Sequence, residues 1–149
     1  MMYTTLKRIK AHSPCTDSWR KLLKGLGKTK ADDARLSYAR ILKICGLEDA
    51  LWAVRCEPRY SREWRFYAVW CARQVQHLLT DPRSIAALDV AERHANGTAT
   101  DEELAVARDA AGAAAWDVAG AAAWDAARDA AGDVAKGAQR AQFLAMVRA

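Results

Sequence analysis

The alanine-rich stretch near the C-terminus constrains this chain more than any other feature. Of the 31 residues from 105 to 135, 16 are alanine, and no proline interrupts residues 83–149. Alanine is the strongest helix former, so the region 101–147 is predicted to be helical throughout. An eight-residue near-repeat runs through it: Ala113-Ala114-Ala115-Trp116-Asp117-Val118-Ala119-Gly120, then Ala121-Ala122-Ala123-Trp124-Asp125-Ala126-Ala127-Arg128. Eight residues at about 100° each set successive tryptophans roughly 80° apart, so they spiral slowly round the helix. Gly112, Gly120, Gly132 and Gly137 each cost roughly 1 kcal/mol of helix stability relative to alanine. The stretch is therefore read as one long helix or as a helical hairpin that breaks near one of them.

Upstream, the apolar spacing also points to helices. Residues 1–12 carry Lys7, Arg8, Lys10 and His12 with little periodicity, which leaves both a mobile basic arm and a short helix open. Ser13-Pro14 reads as a cap with proline at the first helical position. The helix it starts places Trp19, Leu22, Leu23 and Leu26 on one face, with Gly25 and Gly27 ending it. Asp32 or Asp33 is expected to cap a second helix, which Gly46 closes. A third runs from Leu47 until Cys56-Glu57-Pro58 breaks it, because proline cannot continue the hydrogen-bond ladder. Ser61 is expected to cap a fourth, predicted to reach Leu79, with Phe66, Tyr67, Val69, Trp70 and Val75 in a broad apolar stripe. Asp81-Pro82 starts a fifth that Gly97 stops. Thr100 and Glu103 then form a capping box, in which two backbone donors are satisfied reciprocally. The predicted architecture is all-α: a compact multi-helix bundle, one helical domain over residues 1–149.

Composition narrows the class further. The 149 residues are 52% hydrophobic and 28% charged, enough for a core and unlike a disordered chain. No apolar run is long enough to span a membrane. The basic start lacks an apolar stretch behind it, so a cytoplasmic protein with reduced thiols is expected. Cys15, Cys45, Cys56 and Cys71 make no CxxC pair and no zinc pattern. Net charge is +5, unevenly spread: residues 1–30 hold eight Lys/Arg against the one acid Asp17, while residues 100–149 hold five against eight. A basic head suits nucleic acid, an acidic protein partner or contact with the acidic tail.

Motifs for chemistry are scarce. Gly25-Leu26-Gly27-Lys28-Thr29 ends like a phosphate-binding loop, but Leu22 stands where the first glycine belongs and no strand precedes it. His12, His77 and His94 form no metal motif, and His77 and His94 suit helix ends. Asp109, Asp117, Asp125 and Asp133 recur every eight residues, a spacing that rotates them off any single edge. No catalytic residue, metal ligand or cofactor is indicated. Contact with a partner is assigned to the basic residues Lys21, Lys24, Lys28 and Lys30 and to Trp52 and Trp64, the tryptophans expected to stand exposed.

Several segments also resemble a known family. They are Gly27-Lys28-Thr29-Lys30-Ala31-Asp32-Asp33, Gly46-Leu47-Glu48-Asp49-Ala50-Leu51-Trp52, Ala68-Val69-Trp70-Cys71-Ala72-Arg73-Gln74-Val75-Gln76-His77-Leu78 and Ala91-Glu92-Arg93-His94-Ala95-Asn96-Gly97 running on to Leu104. Followed by the Ala/Trp/Asp tail, they resemble the alanine-rich immunity proteins of phages and prophages over about residues 19–135. The resemblance implies a non-enzymatic protein that neutralises a toxin by binding it, and brings no catalytic residues. Phage residence suggests a second target, a bacterial defence effector such as a CRISPR component. Nucleic-acid binding by the basic N-terminal region is the alternative. Self-association through the alanine-rich helix is left open.

Overall fold

A computed structural model of the chain describes residues 1–117 and 132–149. Among them the fold is all-α, as the periodicity predicts, with eight α-helices, three short 3-10 turns and one two-residue strand pair. The described residues group into two compact units: a terminal unit of residues 1–61 and 140–149, and a central unit of residues 62–139.

The terminal unit opens with β1 (Tyr3–Thr4) and α1 (Leu6–Ala11), so residues 1–12 are a strand and a short helix, not an arm. Leu6 and Ile9 are buried, which anchors that helix. α2 spans Thr16–Leu26 and ends at Gly27, whose φ of 66° lies in the left-handed region that favours glycine. Its cap is Cys15, not the expected Ser13. Ser13 is held at φ 52° at the end of α1, where its amide donates to the Lys10 carbonyl. Gly25 lies inside α2 and brings it close to the next helix: a Cβ there would stand 2.4 Å from Ile44 Cγ2.

β2 (Leu36–Ser37) pairs antiparallel with β1, and Ser37, not Asp32 or Asp33, caps α3 (Tyr38–Cys45). The two aspartates are engaged elsewhere, Asp32 with Lys28 and Asp33 with Lys7, so residues 31–35 stay outside any helix. Gly46, at φ 100°, turns the chain into α4 (Leu47–Trp52). The 3-10 turns Ala53–Cys56 and Pro58–Tyr60 follow, as the proline requires. Tyr38, Leu6, Ile41 and Leu42 are buried at the centre, each contributing about 1.5–3 kcal/mol by leaving water. The Tyr38 hydroxyl donates to the Ala53 carbonyl at 3.0 Å.

The far end of the chain completes this core. Phe143 and Val147, one turn apart on α8 (Gly132–Arg148), are fully buried, and the Met2 amide donates to the Val147 carbonyl at 2.8 Å. A buried carboxylate fastens the periphery: Glu57 is only 1% exposed and receives Arg8 Nη1 at 2.6 Å and Arg59 Nε at 3.0 Å.

The central unit contains α5 (Ser61–Gln74) from Arg62 onward, α6 (Pro82–Ala95), α7 (Asp101–Asp117) and the first turns of α8. α5 stops earlier than predicted, and Gln76–Leu78 forms a 3-10 turn. α6 and α7 pack against each other across a hairpin that Gly97 turns at φ 77°. Its capping box is formed as expected: Thr100 N donates to Glu103 Oε2 at 2.7 Å, and Glu103 N to Thr100 Oγ1 at 3.1 Å. His94 reaches Asp101 at 2.7 Å across the same turn. Arg73 of α5 clasps Asp89 and Glu92 of α6, and the Tyr67 hydroxyl donates to the Gln139 carbonyl. Residues 118–131, with Gly120, Trp124 and Asp125 of the repeat, lie outside the described residues, and so does the expectation of a break near Gly120.

Candidate binding pocket

One pocket opens in the terminal unit, between the start of α2 and the end of α4. Its volume is about 90 Å³, and its walls are mainly apolar, with Ile9, Trp19, Leu22, Ile41 and Trp52 among the residues that line it. That volume is roughly three waters' share of the liquid, room for one aliphatic side chain. The amphipathic pattern of α2 explains the wall. Leu22 faces the core, while Trp19, one turn earlier on the same face, reaches the edge and stays half-buried.

One edge of the pocket is polar. Cys15 Sγ accepts from the Ser18 amide at 3.4 Å and donates to Ser18 Oγ at 3.0 Å. Ser18 Oγ in turn donates to Asp49 Oδ1 of α4 at 2.7 Å. The hydrogen bonds with Ser18, its side chain first and its backbone amide second, hold the exposed Cys15 thiol below its ordinary pKa; the amide, which donates to the sulfur, favours the thiolate. Cys45 also lines the pocket but is buried, and burial pushes its thiol up, with nearby Asp49 acting the same way. Cys56, deeper in the core, is pushed up to about 11 by burial. All four cysteines are free thiols.

Three cations ring the pocket, each held by a residue of its lining. Lys10 Nζ stands 5.3 Å from the centre of the Trp19 ring. The Arg55 guanidinium lies 4.7 Å from that of Trp52, and its Nε donates to the Trp52 carbonyl at 2.9 Å. Lys21 Nζ donates to the Cys45 carbonyl at 3.0 Å. None of the three has a carboxylate partner among the described residues. The setting reinforces them: the terminal unit holds fifteen Lys/Arg against six Asp/Glu, net +9, and the central unit eight against twelve, net −4.

The residues assigned to partner contact from the sequence are thus distributed unequally. Trp52 lines the pocket and Lys21 stands beside it. Lys24 is exposed in the last turn of α2, Lys28 pairs with Asp32 at 2.5 Å just beyond that helix, and Lys30 is exposed in the following loop. Neither tryptophan stands exposed as expected: Trp52 is half-buried in the pocket wall, and Trp64, on α5 of the central unit, is half-buried by packing there. Sequence reasoning missed Lys10, Cys15, Ser18, Asp49 and Arg55. The spacing of Arg55 three residues after Trp52 was a local signal for one cation–π pair, and Cys15 with Ser18 is as local; Lys10 over Trp19 and Ser18 against Asp49 join different helices.

Among the described residues no three His, Cys, Asp or Glu side chains gather as a metal would require, and no helix is long and apolar enough to cross a membrane. Comparison of the chain with protein-family models, curated proteins and solved structures gives no match.

Proposed function

We propose that this protein is a non-enzymatic binder that occludes a site on a partner protein, with the basic terminal unit as its contact surface. The observation that carries the reading is the pocket between Trp19 and Trp52, with a cation stacked on each ring. Tryptophan and arginine are the residue types that dominate interface energetics, and a small apolar recess beside them offers a partner's side chain a desolvated seat. The resemblance to phage and prophage immunity proteins supports a partner that is a toxin or a bacterial defence effector, which makes the chain an anti-CRISPR candidate. The basic surface favours a patch-specific contact on an acidic protein face over imitation of DNA, whose mimics carry the opposite charge.

The charge of the terminal unit also favours a second reading, nucleic-acid binding by the basic N-terminal region. One experiment separates the two: affinity capture of the tagged protein from host lysate, with and without nuclease. A discrete protein retained in near-equal amount after nuclease supports occlusion. A heterogeneous set that disappears with nuclease refutes it. Direct titration with duplex DNA then decides the second reading, since affinity carried by several phosphate contacts falls tenfold or more between low and physiological salt.

A further inference from the structure

The ring of cations around an apolar recess has a definite complement. A free recess lined by Trp19 and Trp52 takes an aliphatic side chain, and Lys10, Lys21 and Arg55 attract carboxylates to its edge. The one carboxylate in the lining, Asp49, accepts from Ser18, and its single negative charge still leaves the three cations a net excess of two. Two of the three cations lie over tryptophan rings, so they are partly ordered before any partner arrives, which lowers the entropic cost of binding. A neutral apolar segment fills the recess but leaves the cations without partners. Phosphate groups pair with the cations and leave the recess wet. Only a segment with both features satisfies the whole site.

We infer that the pocket between α2 and α4 receives an acidic peptide segment of the partner, one aliphatic side chain entering the recess and flanking Asp or Glu residues pairing with Lys10, Lys21 and Arg55. This rests on the partner-binding reading above and specifies the chemistry the partner presents.

Cys15 at the pocket edge reports occupancy directly. In a Cys71→Ser background, which leaves Cys15 as the accessible thiol beside buried Cys45 and Cys56, the rate of alkylation by iodoacetamide is measured with three probes. These are a short peptide of glutamates around a central leucine, the same peptide with glycine for leucine, and a leucine peptide with glutamines for glutamates. The glutamate–leucine peptide is expected to slow alkylation at least fivefold at saturation, and the other two to slow it less than twofold. The paired substitution Lys10→Glu and Arg55→Glu, both on exposed side chains, is expected to abolish the protection while leaving the circular dichroism spectrum unchanged. Equal protection by the leucine and glycine peptides overturns the inference, as does equal protection by the glutamine peptide or no protection at millimolar concentration. If the lysate capture nevertheless retains a stoichiometric protein, occlusion of a partner stands and only the pocket assignment falls.

Discussion

Glu57 gives the sharpest test of how the terminal unit is held together. Its carboxylate is 1% exposed, whereas the side chains of Arg8 and Arg59, which pair with it at 2.6 and 3.0 Å, are 55% and 59% exposed. The two sides of the cluster therefore respond differently to loss of a partner. An arginine released from the pair returns to water at little cost, but the carboxylate cannot follow it. Arg8→Met or Arg59→Met alone leaves Glu57 one charged partner, and each is expected to cost about 1 kcal/mol, the net worth of an ordinary hydrogen bond, because each arginine is more than half exposed. The double variant strands a buried charge, a change that costs about 3–5 kcal/mol. The cycle should thus show coupling of about 1–3 kcal/mol beyond the two single losses. Calorimetry at pH 7 reads it, because in a unit of 60–100 residues each kcal/mol moves the midpoint by about 4–8 °C. A double variant no less stable than additivity predicts would refute the dependence of Glu57 on these arginines.

Three further outcomes follow from the same structure. The thiolate fraction of Cys15 rises as pH climbs through its lowered pKa, so its alkylation should begin at lower pH than that of a free cysteine. Ser18→Ala should shift the profile back upward, and an unchanged profile would show that Ser18 does not set it. Gly25→Ala gains about 1 kcal/mol of helix propensity, yet its Cβ meets the stiff, branched Ile44 side chain at 2.4 Å. Overpacking of this kind costs about 1–3 kcal/mol, so a net loss of up to about 2 kcal/mol is expected in urea denaturation, with part of it recovered in the Ile44→Ala background. Phe143→Ala should cost about 3–5 kcal/mol, since that ring is fully buried; a loss below about 1 kcal/mol would show that the end of α8 is dispensable to the terminal unit.

What the sequence revealed and what it hid divide along the range of the interactions. The Thr100–Glu103 capping box, Asp81 with Pro82, and the stops at Gly27 and Gly97 all use partners within one helical turn, so each was legible before any tertiary contact was known. Ser61 was expected as the cap of α5 and is instead its first residue, with helical φ −59° and ψ −30°, and nothing local announced that regular α-geometry ends at Gln74. The misplaced caps share another cause. Ser13 and Asp32 are good cap residues by type, but the first is committed to ending α1 and the second to Lys28. Cys15 took over a capping role for which cysteine is an uncommon choice. The two-residue strand pair was invisible because its partners, Tyr3 and Ser37, lie far apart in the chain. Around the pocket, Trp52 and Lys21 are the two residues that type and charge had already singled out. Lys10 over Trp19 and Ser18 against Asp49 had no sequence signal, being made only when α1, α2 and α4 come together.

The seating of Phe143 and Val147 in a core otherwise built from the first 61 residues also sets an order of events in the cell. The N-terminal segment is synthesised first, but it lacks two of its buried side chains, and the carbonyl that receives the Met2 amide, until the end of the chain is made. The 78 residues from 62 to 139 come between, and at 5–20 residues per second they take the ribosome about 4–16 s. During that interval Leu6, Ile9, Tyr38 and Ile41 have only a partial core to enter. The terminal unit therefore closes only once Phe143 and Val147 have been made, and any message truncated before the codon for Phe143 yields a chain without either side chain or the carbonyl that receives Met2.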